Sequence, residues 1–259
     1  MKSTSFATGV LAFLLTASSA QAQIMGLSFH NITSNGQLNI ENQLAAQVRD
    51  KDQASSDFSS YLATNDITIN NDEVLFTFTN DVNAGRPSNI SEIYFDDGTI
   101  FSQVKILNSL SGSTKFSGGM KPKDLPGGGN NSGNQKKIDT SSLTTAFDAT
   151  AGFGADTGNE SDGINASNDI LGIIIKLQTG LGFSDLQLAL ANGELRLGMH
   201  VRSINGVFSD SFINTPFLIP PPVADQVPLP AAAWLFGPAL LLAARTARRK
   251  SSLAPASAS

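Results

Sequence analysis

The 259-residue chain contains no cysteine, which excludes disulfides, cysteine-ligated zinc and a thiol nucleophile. Five of its 17 basic residues sit at the two ends and all 22 acidic residues lie between them, so the middle carries 12 cations against 22 anions, a net charge of −10. Such a middle repels phosphate backbones and argues against nucleic-acid binding, and its Gly- and Asn-rich composition suits a turn-rich β domain better than a helical bundle.

The first segment reads as a secretory signal over residues 1–22. Lys2 precedes a short apolar run from Val10 to Leu15, and Ala20-Gln21-Ala22 supplies the small residues that a signal peptidase accommodates. Cleavage after Ala22 leaves Gln23 as the mature N-terminus. Residues 23–222 then form about 200 residues of secreted, β-rich chain, enough for one sizeable core.

Within it, Leu27 to Ile32 alternates apolar with polar residues, as a half-buried strand does. Asn39 to Val48 reads as a short helix. Asp66 to Phe78 reads as two strands joined at Asn70-Asn71-Asp72, and Ile90 to Phe95 as a further strand. Asp96-Asp97-Gly98 is the expected hairpin turn into a strand from Thr99 to Leu107. Pro122, Pro126 and Gly127-Gly128-Gly129 predict a flexible loop over 111–134. Strands follow at Ile170 to Leu177 and at Leu195 to Ile204, where Leu195, Leu197, Met199 and Val201 share one face. Between these two, Ser184-Asp185-Leu186-Gln187 opens a helix with a capping-box pattern; Leu186, Ala189 and Leu190 line one side and Asn192-Gly193 ends it. The expected fold is mainly β, an antiparallel β-sandwich or jelly-roll-like domain with one or two short helices.

The tail, residues 223–250, has three parts. Val227-Pro228-Leu229-Pro230-Ala231 leads into an apolar stretch without charge from Ala231 to Ala244, the predicted transmembrane helix covers 231–247, and Arg245, Arg248, Arg249 and Lys250 close the segment. The basic cluster stays cytoplasmic by the positive-inside rule, with 251–259 as a polar cytoplasmic tail and the acidic domain outside. Together these residues resemble the PEP-CTERM class of bacterial sorting signals in its VPLPA form. That resemblance implies an exosortase-type membrane enzyme as partner, removal of the helix, and a place at the surface or in the exopolysaccharide and biofilm matrix of Gram-negative bacteria. Nine residues follow the basic cluster, where signals of this class normally end. Ile90 to Asp97, Leu197 to Ile204 and Ser209 to Asn214 also resemble segments recurring in such secreted proteins, without an assigned activity.

No catalytic, cofactor or metal residues stand out in the middle. His30 and His200 are the two histidines, both on predicted strands and expected to be satisfied by hydrogen bonds, and no Gly-x-Ser-x-Gly elbow accompanies them. The acidic stretch Asp156 to Gly163 offers oxygen ligands for Ca²⁺ but lacks the spacing of an EF-hand loop. The mature domain has Tyr61 and Tyr94 but no tryptophan for stacking on sugars, and its phenylalanines alternate as core residues do. The sequence therefore predicts a non-catalytic protein: an inner-membrane-anchored precursor that becomes a surface or matrix component. The alternatives are a secreted carbohydrate- or calcium-binding module and, behind it, an extracellular hydrolase.

Overall fold

The structure is a computed structural model and describes residues 23–33, 39–96, 99–120, 125, 129–130 and 147–214. The chain divides into two units, Met1–Phe217 and Leu218–Ser259, and every described residue belongs to the first.

The protein is mainly β. In chain order the strands are β1 (Ile24–Asn31), β2 (Leu44–Arg49), β3 (Glu73–Asn80), β4 (Asn89–Asp96), β5 (Phe101–Ser111), β6 (Ser117–Met120), β7 (Gly129–Asn130), β8 (Gly154–Asp156), β9 (Ile170–Leu177), β10 (Arg196–Ile204) and β11 (Phe208–Asn214). The helices are α1 (Lys51–Asp57), α2 (Ser59–Thr64) and α3 (Phe183–Asn192). All the strand pairs are antiparallel and run in one order, β5-β9-β3-β2-β1-β11-β10-β4-β8-β6, with β7 beside β11.

β1 joins the two halves of this sheet. Ile24 to Ser28 pair with β2, whereas Phe29 to Asn31 pair with β11. Its alternation sends Met25, Leu27 and Phe29 inward, as the sequence pattern predicts. Inward residues of both halves meet in one core. Phe76 on β3 packs edge-on against Phe95 on β4 at 5.3 Å between ring centroids, and Phe95 packs against Phe101 on β5 at the same distance. These three phenylalanines serve the core, where edge-to-face geometry suits their quadrupoles.

Each half is also covered on its outer face. Over β3, β9 and β5, a second cluster joins Leu75, Leu107 and Ile174 to Ala54 of α1 and Leu62 of α2. Over β4, β10 and β11, Leu125, Phe147 and Ala149 cover Tyr94 and Ile213. Gly198 makes that cover fit: a Cβ there would meet the Leu125 side chain and the Phe147 ring.

Several expectations need correction. Asn39 to Val48 is no helix; after a 3₁₀ turn at Glu41–Gln43 it becomes β2. Leu44, Ala46 and Val48 alternate into the core, so tertiary pairing overrides the helix preference of Ala and Gln. Among the described residues, helices α1 and α2 lie where none is predicted, in addition to the predicted α3. Asp66 to Phe78 holds a single strand, because Ile67 to Asn70 runs unpaired and Ile69 packs under α1 and α2. Of the predicted turn Asp96-Asp97-Gly98, Asp97 and Gly98 lie outside the described residues, and the strands on either side do not pair as a hairpin: β4 pairs with β10 and β8, and β5 pairs with β9 in the other half. Inside the predicted loop over 111–134, Ser117–Met120 and Gly129–Asn130 form strands.

Candidate functional site

Two polar arrangements stand out against the apolar fold. The first lies on the outer face of β4 and β10. Alternation on β4 sends Ile93 and Phe95 into the core and turns Glu92 and Tyr94 outward; on β10 it does the same for Met199 against His200. Cross-strand register sets Glu92 opposite His200 on one side and opposite Asp156 of β8 on the other.

Glu92 is buried and multiply held. The Arg202 guanidinium and the Tyr94 hydroxyl both donate to its carboxylate, and His200 Nδ1 lies 3.4 Å from Oε1. Burial pushes the Glu92 carboxyl up, but His200, the Tyr94 hydroxyl and Arg202 outweigh it and hold it at about 2. Tyr94 moves the other way: burial first, then the Glu92 charge, pushes its phenol well above the ordinary range. Glu92 is therefore an anion whose oxygens are engaged inside the fold.

His200 is buried on its predicted strand, and among the described residues nothing hydrogen-bonds its Nε2 or the buried Nδ1 of His30 on β1. The other ring nitrogen of His200, Nδ1, faces Glu92 and Arg202. Sequence reasoning missed the cluster as a unit. The signal was the pair of strands with polar residues two apart, Glu92 with Tyr94 and His200 with Arg202, each flanked by apolar neighbours.

The second arrangement is a cleft of about 550 Å³ between three connections. Asn83, Pro87 and Ser88 come from the β3–β4 connection, Ser161 and Asn165 from the turn before β9, and Ser203 and Gly206 from the β10–β11 hairpin. Among the described residues that line it none carries a charge. Below it, Gln43 Nε2 donates to Asn80 Oδ1 and Ser88 Oγ, each at 2.7 Å, and Asn80 Nδ2 donates to the Ile164 carbonyl at 3.0 Å. The hairpin carries left-handed backbone at Ser203, Asn205 and Gly206, and the Asn205 N–H donates to the Pro87 carbonyl. Gly163 lies so close to Asn89 and the Ile90 carbonyl that a Cβ would collide with both. Asp169 fixes one wall by accepting the N–H groups of Ser113 and Ala166 at 2.9 Å.

The acidic stretch is distributed rather than convergent. Asp156 sits on β8, and Asp162 accepts from Lys115 Nζ at 3.0 Å, with Asn159 beside it. These donors, the Lys115 contact foremost, hold the Asp162 carboxyl below its usual range. Among the described residues no group of three or more His, Asp or Glu side chains could hold a metal ion.

Of the residues predicted to direct export, Gln23 is described and immediately precedes β1, while Ala20 and Ala22 lie outside the described residues. The same is true of Val227, Pro228, Leu229, Pro230 and Ala231, and of Arg245, Arg248, Arg249 and Lys250. Among the described residues no helix is long and apolar enough to cross a membrane. Comparison with protein-family models, curated proteins and solved structures finds no match to the chain.

Proposed function

We propose that the chain is an exported, non-catalytic surface or matrix protein, delivered through residues 1–22 and sorted through a VPLPA-type tail. One observation carries the reading: the order along the chain of a signal, a β domain, Val227 to Ala231, an apolar stretch and a basic cluster. The placement of β1 supports it, since that strand starts at Ile24, one residue beyond the expected new terminus. The finer fold reading, a jelly-roll-like sandwich, belongs to this proposal; its support is the contact of Phe76 with Phe95 from the two halves of the sheet.

Replacing Pro228 and Pro230 by alanine in the full chain, expressed in a bacterium with an exosortase, tests the sorting step. The expected result is an unprocessed form in the membrane fraction. Identical C-termini with and without the change, read by mass spectrometry, would overturn it.

A second reading rests on the cleft. Its uncharged amides and hydroxyls suit a neutral saccharide better than an ion or an acidic polymer. Titration with neutral and anionic oligosaccharides, repeated with Asn83→Ala and Asn165→Ala, separates the cases. Binding of neutral chains that both variants weaken supports the reading; no binding, or binding indifferent to both, removes it. Calcium in the acidic stretch is the third arm, and melting unchanged between chelator and excess Ca²⁺ counts against it.

A further inference from the structure

The first described residue is tied to the fold by its backbone. Gln23 N donates to Asp50 Oδ2 at 2.8 Å, and Asp50 N donates back to the Gln23 carbonyl at 3.1 Å. This closes the ladder that continues with Ile24 opposite Arg49 and Met25 opposite Val48, the latter pair buried. Asp50 is itself fixed, because its Oδ1 accepts the Gln53 N–H at 2.8 Å and caps α1.

The charges around Asp50 are otherwise committed. Arg49 donates to Asp57 at 2.7 Å and to Thr77 at 2.7 Å, and Lys51 pairs with Asp52 at 3.3 Å. Among the described residues no cation pairs with the Asp50 carboxylate. An anion thus faces the one nitrogen that becomes cationic if the chain is cut before Gln23.

We propose that Asp50 is the socket for the α-ammonium that signal removal creates on Gln23, and that it keeps this terminus from cyclising. The proposal rests on the export reading, since only cleavage after Ala22 makes that amine. An N-terminal glutamine closes on itself when its α-nitrogen lone pair attacks its own side-chain carbonyl carbon. The N–Cδ bond forms, a proton passes from the α-nitrogen to Nε2, the Cδ–Nε2 bond breaks, and ammonia departs to leave a neutral lactam. An ammonium has no lone pair to give. Whatever factor Asp50 adds to the ammonium therefore cuts the reactive amine by the same factor, about threefold for a solvent-exposed pair of this kind. The protection fades once the pH lies well above about 8, where an α-amine loses its proton in any case.

The test uses the full chain, exported from a secreting bacterium and purified after processing. Conversion of the Gln23 peptide to its ammonia-loss form is followed by mass spectrometry at about pH 7 and about pH 10, bracketing the ordinary α-amine range. Asp50→Asn keeps a capping oxygen for α1 but removes the charge, and Asp52→Asn removes a neighbouring charge as a control. The expected result is that Asp50→Asn cyclises about threefold faster than wild type near neutrality, with the difference gone at the higher pH. Asp52→Asn should match wild type. The unaltered protein supplies an independent arm: about 1 M salt, which shortens screening to about 3 Å, should speed its cyclisation near neutrality. Equal rates for wild type and Asp50→Asn, or an equal effect of Asp52→Asn, would overturn the socket while leaving export standing. A chain that starts anywhere other than Gln23 would overturn both.

Discussion

At the scale of single residues, Glu92 carries the clearest electrostatic consequence. Its carboxyl is held at about 2 in the folded protein against an ordinary 4.5, so the fold favours the anion. The unfolded chain takes up a proton first as the pH falls. The resulting stability is fully present above about 4.5 and is lost progressively toward about 2. Glu92→Gln should flatten that part of the acid-stability curve, measured by urea unfolding at stepped pH. It should also cost about 2 kcal/mol at neutral pH, because Arg202 and His200 lose their anion. The loss stays below that of a fully buried pair, since the Arg202 side chain is 37% exposed. An acid limb unchanged by the substitution would show that other carboxylates govern it. Tyr94 works at the opposite end: its raised phenol stays protonated in the fold, so stability should fall as the pH climbs past 10, and less so in Tyr94→Phe.

At the scale of elements, legibility followed locality. β9 and β10 were readable because long apolar runs and period-two patterns survive any topology, and α3 because its signals are local. Its Leu186, Ala189 and Leu190 are buried as predicted, and Gly193 ends it in the left-handed region at φ 73°. The start differs slightly: Gly182, not Ser184, is the N-cap, and Asp185 reaches back to the Gly182 N–H at 2.8 Å. Gly193→Ala should cost about 1 kcal/mol by thermal or urea unfolding, the penalty for forcing a Cβ into that region. A neutral effect would mean that the helix end relaxes. The elements missed were those decided by partners far away. Leu44 to Arg49 becomes a strand because β1 and β3 flank it, and Lys51 to Thr64 becomes helical where Ala54 and Leu62 find Leu75 and Ile174. The Glu92 cluster was hidden for the same reason, since Glu92 and His200 are brought together only by the β4–β10 register.

At the scale of the molecule, the core and the charge distribution divide the work. One sheet with β1 shared between its halves gathers Phe76, Phe95, Phe101 and their neighbours into a single apolar interior. Along the sequence the acidic residues lie between the basic ends, and among the described residues Asp210 is an acidic side chain fully buried on β11. Composition and alternation made the mainly β character legible, whereas the strand order was not, because β4 and β5 separate into different halves despite their adjacency in sequence. The functional reading belongs to this scale too, for it depends on the order of whole segments rather than on any one side chain. Its most direct test is the intact mass of the protein recovered from the outside of cells that carry an exosortase. The expected chain starts at Gln23 and ends within or just before the apolar stretch that follows Pro230. A recovered chain that still carries residues 1–22, or that retains Arg245 to Lys250, would contradict it.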